Sequence, residues 1–349
     1  MKAFTEDSIL LAIETSCDET AAAVFRGEQL LANVISSQVV HAQYGGVVPE
    51  LASRAHVQTI TFIVRKALEQ AGVHPAEIDG IAVTNAPGLI GALVVGTNFA
   101  KGLAVRWNIP VVPVNHIEGH IYSPFLEHHA LEFPYLALIV SGGHTLLALV
   151  HSFEHYEVLG TTRDDAAGEA FDKIAKMLGL GYPGGPEIDR HARKGNPHAY
   201  QFPRSLIHAK NFEFSFSGLK TAVRGVIQRH QDLLPESLIC DICASAQEAI
   251  VDVLVTKTLK AARKFGIARI VVAGGVSANS RLRERFEQIA RKEGLQVFIP
   301  SMEYCTDNAA MIGLVGRYKL LHHPKLSLQF LASPTFVPPQ HQTASSPAS

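Results

Sequence analysis

The feature that most constrains this chain is an order of elements that occurs twice. Apolar runs bounded by polar turns predict strands over Ser8 to Glu14, Thr20 to Phe25 and Gln29 to Ser36. An amphipathic helix follows over Pro49 to Ala71, opened by a proline in a permitted place and closed by Gly72. Gly80 to Thr84 reads as a strand, Ala92 to Arg106 as a helix and Pro110 to Val114 as a strand. A further helix opens near Asn115, a good N-cap. That order is βββαβαβα. It returns as strands over Tyr135 to Val140, Thr145 to Val150 and Tyr156 to Gly160, then a helix over Asp165 to Leu178. After a long insertion come a helix over Cys243 to Phe265, a strand over Arg269 to Ala273, a helix over Ala278 to Lys292, a strand over Leu295 to Ile299 and a last helix from near Tyr304. The duplication predicts two similar α/β domains facing each other across a cleft, over residues 1–130 and 131–332. The second carries an insertion at about 180–235. The Pro-, Ser-, Thr- and Gln-rich stretch 333–349 reads as a disordered tail.

Two such domains need a large core, and 349 residues with 47% hydrophobic side chains supply one. Lys and Arg total 31 against 32 Asp and Glu, so a uniformly basic nucleic-acid coat is excluded while a local patch is not. Four cysteines cannot make a disulfide framework. No apolar run is long enough to span a bilayer, and the N-terminus lacks a secretory pattern. The expectation is a soluble, cytoplasmic protein with no membrane partner.

Three turns stand at equivalent places. Glu14 to Thr20 joins the first two strands of the first half, and Ser141 to Thr145 joins those of the second. Gly274 to Asn279 joins a strand to a helix. Glycine lets backbone N–H groups approach a phosphate, and a helix start adds a favourable dipole. Any one of them could be an ordinary turn; three together predict a nucleotide cleft. No P-loop pattern occurs, and Gly179-x-Gly181-x-x-Gly184 follows a helix rather than a strand, so it is not a dinucleotide fingerprint.

His116 and His120, at i and i+4 of a predicted helix, share one face, as two metal ligands would. The repeat supplies a third ligand: Asp307 follows the last strand of the second half as His116 follows that of the first. Such a site with open positions suits Fe(II), Zn(II) or Mn(II). A zinc protease needs HExxH. Here Glu118 lies two positions after His116, roughly 200° around the helix, and points away. Cys240 and Cys243 form a CxxC inside a helix with no second pair, so they read as core. Cys17 and Cys305 fall near the cleft.

The insertion carries the charge imbalance. From Arg190 to Arg229 there are eight basic residues and one acid, Glu213, with Tyr200, Phe202, Phe212, Phe214 and Phe216 interleaved. Either this is a nucleic-acid surface with stacking platforms, or a solvated basic face with its aromatics turned to the core.

Eight segments occur in one order: ETSCDET (Glu14 to Thr20), NHIEGH (Asn115 to His120), SGGHT (Ser141 to Thr145), AGEAFDK (Ala167 to Lys173), YPGGPEID (Tyr182 to Asp189), FSFSGLKT (Phe214 to Thr221), GGVSAN (Gly274 to Asn279) and CTDNAAMI (Cys305 to Ile312). Together they resemble the bacterial TsaD family, the tRNA N6-adenosine threonylcarbamoyltransferases, formerly labelled O-sialoglycoprotein endopeptidases. The resemblance runs from about Ile9 to about Leu320. It implies the duplicated, ribonuclease H-like architecture of actin, the sugar kinases and the heat-shock ATPases. It implies transfer of a threonylcarbamoyl group from threonylcarbamoyl-AMP to N6 of the adenosine 3′ of the anticodon, in tRNAs reading codons that begin with A. By the same resemblance, His116, His120 and Asp307 hold one divalent metal, iron foremost and zinc next. Ile139, Val140, Ser141, Gly142 and Gly143 line the phosphate and acyl part of the substrate. Asp172, Gly185, Asp189 and Asn279 hold its ribose and adenine. Implied partners are tRNA, a smaller paralogue of the same fold (TsaB-like) and a P-loop ATPase (TsaE-like). Asp18 and Glu19 are the acids placed nearest the transfer. The rival reading is a kinase or ATPase of the same fold, told apart by ATP turnover without tRNA.

Overall fold

The structure, a computed structural model, describes residues 4–230, 234–323 and 328–337. The first half runs β1 (Ile9–Glu14), β2 (Glu19–Arg26), β3 (Gln29–Ser37), α1 (Pro49–Ala71), β4 (Gly80–Ala86), α2 (Ile90–Trp107), β5 (Val111–Asn115) and α3 (His116–Tyr122). The second runs β6 (Tyr135–Val140), β7 (Thr145–Val150), β8 (Tyr156–Thr161), α4 (Ala167–Met177), α5 (Gly184–Ala192), α6 (Ser217–Arg229), α7 (Glu236–Phe265), β9 (Arg269–Ala273), α8 (Ser280–Glu293), β10 (Gln296–Phe298), α9 (Met302–Cys305) and α10 (Ala309–His322). Each half makes one five-stranded sheet, ordered β3-β2-β1-β4-β5 and β10-β9-β6-β7-β8. Substituting equivalent strands turns one order into the other, so the repeat read from sequence is a repeat of topology.

Period-2 alternation explains why these strands look uniformly apolar. Ile9, Leu11 and Ile13 pack outward among residues of α1 and α2, while Leu10 and Ala12 face inward. Likewise Leu136, Leu138 and Val140 face α4 to α8, while Tyr135, Ala137 and Ile139 face the inner core. Both faces are covered, so both sets must be apolar.

The inner core is one cluster shared by the two sheets, with α3 and α10 between them. Their placement is crossed. α10, the last helix of the second half, lies on the first sheet: a Cβ on Gly313 would stand 2.3 Å from the Phe25 ring, and one on Gly316 2.2 Å from Ala82 Cβ. α3, from the first half, is tied to the second sheet, where Tyr135 Oη donates to Ile121 O at 3.1 Å and Tyr122 Oη to Ser152 O at 2.9 Å. The division at residue 130 therefore follows the chain and not the packing.

Three boundaries differ from the sequence reading for local reasons. α7 begins at Glu236, just after Pro235, rather than near Cys243. α8 begins at Ser280 because the Asn279 side chain caps it, accepting from Leu282 N at 3.0 Å. The last helix is broken into α9 and α10, because Asn308 caps α10 through Met311 N at 3.0 Å. Asp307 thus sits in the break. The expected tail starts later than Ser333: Ser333 N donates to Asn85 O at 2.9 Å and Phe336 packs on the inner core. Residues 338–349 lie outside the described residues.

Candidate metal centre and nucleotide cleft

Asn115 ends β5 and caps α3, its side chain accepting from Ile117 N at 2.8 Å. That cap fixes the register that turns His116 and His120 to one side. Asp307, from the break before α10, meets them: its Oδ1 lies 3.0 Å from His120 Nε2 and 3.3 Å from His116 Nε2. Both histidines are buried, and Gly119 lets α3 approach Met311 and Ile312 of α10 closely. Glu118 points away as expected, paired with Lys319 at 2.7 Å.

The sequence reading missed Glu14. It ends β1 fully buried, and its Oε2 accepts from His116 Nδ1 at 3.1 Å and from Thr84 Oγ1 at 2.6 Å. Its Oε1 accepts from Ser16 N. A carboxylate behind Nδ1 fixes the His116 tautomer and leaves Nε2 facing Asp307, the usual support for a metal-bound imidazole. The available signal was an acid closing an otherwise apolar strand.

The electrostatics suit a cation. Burial opposes charge on His116, but Asp307 and Glu14 on either side raise its pKa well above the ordinary histidine value. Burial lowers that of His120, whose Nδ1 is buried without a hydrogen-bond partner. Burial, then Asp307 and Asp18, push Glu19 up to about 9. Two imidazole nitrogens and a carboxylate oxygen, all within 4.8 Å of one another, in a pocket crowded with acids, fit a divalent ion of the N,O-binding class. Burial, then Asp18 and Asp307, also raise the Cys17 thiol, and Cys305 is buried against Ser277 and Arg283. His144, in the Ser141 turn and unassigned from sequence, is held down to about 4 by burial and by His116.

In the β6–β7 turn, Ser141 N donates to His144 O at 2.8 Å, and Gly168 N at the start of α4 donates to Ser141 O at 3.1 Å. Glycine is required on both sides of this strand end: a Cβ on Gly168 would lie 2.6 Å from Ser141 O, and one on Gly274, at φ 91°, 2.5 Å from Val140 O. Built Cβ atoms on Gly142, Gly143, Gly185 and Gly275 meet only open space. Ile139 and Val140 are different: their side chains are fully buried in the cores, so only their backbone reaches the turn.

Asp172, Gly185, Asp189 and Asn279 come together around the starts of α5 and α8. Asp172 Oδ1 accepts from Gly184 N at 2.7 Å, and Asp189 Oδ1 from Ser280 Oγ at 2.7 Å. Asn279 Nδ2 donates to Gln247 Oε1 at 2.7 Å. Asp18 lies close enough to Asp172 to help raise its pKa after burial. Gly179, at φ 69°, ends α4, and Gly184 packs tightly on Asp172 and Ala175, so this glycine run shapes a helix junction.

The insertion resolves toward its second reading. Phe202, Phe212, Phe214 and Phe216 are core residues. Four of the eight basic groups have acids from outside the stretch or at its edge: Arg190 with Glu187, Arg193 with Asp189, Lys194 with Glu236 and Arg204 with Asp252. Cys240 and Cys243 are buried core, as read.

Two matched sheets with a His-His-Asp group at their seam define a duplicated α/β fold of the actin and sugar-kinase type. Component A of (R)-2-hydroxyglutaryl-CoA dehydratase from Acidaminococcus fermentans shares that fold, with TM-score 0.55 and 14% identity over 90% of this chain and 99% of that one. So does full-length HypF in its phosphate- and nucleotide-bound form, with TM-score 0.59 and 14% identity over 92% and 56%. The particular family is set by sequence. The TsaD family, tRNA N6-adenosine threonylcarbamoyltransferase, matches residues 29–314, and this chain belongs to it. A member from Kosmotoga olearia is 52% identical over 89% of this chain and 93% of its own length. One from Syntrophotalea carbinolica is 55% identical over 88% and 90%. The family and the transferase class expected from the eight segments are those found. Among the described residues no helix is long and apolar enough to cross a membrane.

Proposed function

We propose that this chain transfers the threonylcarbamoyl group from threonylcarbamoyl-AMP to N6 of the adenosine at position 37 of tRNA, in the cytoplasm, with one iron-class ion at His116, His120 and Asp307. The observation that carries this reading is the convergence of those three ligands beside an open glycine turn. In a plain kinase of this fold the phosphates need a cradle but no histidine pair.

The donor is a mixed anhydride, already activated, so no covalent nucleophile is needed. The high pKa of Cys17 agrees, since that thiol is not a ready thiolate. The amine nitrogen attacks the acyl carbon, the bond to the phosphate oxygen breaks, AMP leaves and the amine loses a proton. Gly142 and Gly143 offer backbone N–H groups to the phosphate beside the start of α4, and Ser141, whose N–H is used within the turn, offers its hydroxyl. Asp172, Gly185, Asp189 and Asn279, gathered around α5 and the start of α8, are the residues proposed to hold the ribose and adenine. Asp18 and Glu19 are the acids nearest the transfer, and one of them takes the amine proton. When bound, the ion supplies Lewis-acid polarisation and a template for the donor.

A smaller paralogue and a P-loop ATPase are the proposed protein partners. Val57 on α1 and Ile90, Val94 and Val105 along one stripe of α2 are exposed apolar groups that would suit the first. The deciding experiment supplies threonylcarbamoyl-AMP directly and measures tRNA modification, with His116→Ala, His120→Ala and Asp307→Ala alongside. Modification that survives all three variants, or ATP turnover independent of tRNA, overturns the reading.

A further inference from the structure

The β7–β8 hairpin holds a second group of metal-binding side chains, remote from the cleft. His151 and His155 close the turn, with His151 N donating to His155 O at 2.8 Å. Directly opposed residues on antiparallel strands project to the same side. Glu157 is two residues beyond His155, so alternation puts it on that side as well. The side chains bear this out: the two imidazole centroids are 4.8 Å apart, and His151 Nε2 is 3.3 Å from Glu157 Oε1. One ligand atom from each of the three lies within 4.8 Å of the others.

The turn is held stiffly. Phe153 at its tip stacks on Tyr122 at 4.7 Å and on Tyr318 at 4.9 Å, and Tyr122 Oη donates to Ser152 O at 2.9 Å. A stiff turn presents its ligands already gathered, which reduces the ordering cost of binding. β7 spans six residues from the Ser141 turn to this end. At about 3.3 Å per residue that is roughly 20 Å, so the two groups cannot share an ion.

We propose that His151, His155 and Glu157 form a second transition-metal site, taking a borderline divalent ion of the Zn²⁺ class. Two imidazoles and a carboxylate are the donors such an ion prefers, and water or a neighbouring molecule completes its shell. The His151 and Glu157 side chains are each 37% exposed, so the ion would exchange with solvent rather than hold the fold together. The ordinary alternative is a surface His–Glu ion pair that binds nothing.

The test uses the full chain with His116→Ala and His120→Ala, which removes the cleft centre, titrated calorimetrically with Zn²⁺. About one equivalent should bind, a tetrahedral absorption band should appear with Co²⁺, and both should vanish on adding His151→Ala or His155→Ala. Glu157→Gln should weaken binding by about tenfold. No binding tighter than about 100 µM, or binding that persists without His151 and His155, overturns the proposal. If the cleft variant does not fold, the wild type is compared with His151→Ala/His155→Ala. A fall of one equivalent supports the site, and equal stoichiometry removes it.

Discussion

Glu14→Gln isolates the support behind the cleft ligands. Three donors converge on the Glu14 carboxylate: His116 Nδ1 at 3.1 Å, Thr84 Oγ1 at 2.6 Å and Ser16 N. Glutamine keeps the volume but has one acceptor oxygen and one NH₂. Whichever way it sits, its NH₂ faces a donor in a site with no exposed surface. One unmet buried partner costs about 1–3 kcal/mol of stability. Loss of the charge that orients His116 should weaken metal affinity by about 10- to 100-fold, or roughly 1.4–2.7 kcal/mol. Metal affinity would be read by competition with a chromogenic chelator, and stability by urea unfolding with chelator present. Thr84→Val, which removes one donor and leaves the charge, should move affinity far less. Wild-type affinity in a folded Glu14→Gln protein would refute the argument. A loss as complete as that of His116→Ala would make Glu14 itself a ligand.

The pH dependence of the metal-free cluster has a definite sign. His116 is raised, so its stabilisation is full below about pH 6.5 and lost as pH climbs through its folded value, while Glu14 and Asp307 are lowered, so theirs is full above about pH 4 and lost on acidification. Unfolding with chelator across pH should show that window, and it should flatten in His116→Ala. Arg193, Lys194 and Arg204 already hold acids, so the tRNA test falls on Lys210, Lys220, Arg224 and Arg229, for which no ion pair occurs among the described residues. Reversing these four to Glu should cut tRNA affinity and flatten its salt dependence by about 0.7–0.9 per lost phosphate contact, and unchanged low-salt binding would place tRNA elsewhere. Asp172→Ala should weaken nucleotide binding by about 1–3 kcal/mol. Because Asn279 also caps α8, Asn279→Ala should lose about 1 kcal/mol of stability besides, whereas Asn279→Ser keeps a cap and separates the two effects by melting and nucleotide titration.

Much of this was legible because both faces of each central strand are buried, which makes Ile9–Glu14 and Tyr135–Val140 stand out as unbroken apolar runs. Asp307 could be found only through the repeat, since nothing local marks it as a partner of His116. Glu14 was missed because an acid at a strand end reads as the first polar residue of a turn. The phenylalanines of the insertion were ambiguous because interleaving with charge is the same pattern in a stacking surface and in an edge folded onto a core. Which sheet receives α10 is not written in α10 at all. Its Gly313 and Gly316 require a close neighbour, and only the assembled sheet identifies Phe25 and Ala82 as that neighbour.

The crossed placement of α3 and α10 bears on how the chain is made. Domains generally form in turn as a polypeptide leaves the ribosome. Here the first sheet cannot finish that way, because the helix that covers Ala12, Phe25 and Ala82 ends at His322. Until then the early strands carry an apolar face awaiting a segment not yet translated, and α3 waits for the strands of the second half. The two halves must therefore mature together. The cleft ligands keep the same calendar, since His116 and His120 are synthesised long before Asp307. The complete group cannot form until Asp307 has been synthesised, so any ion that these three residues hold is captured only after both halves have been made.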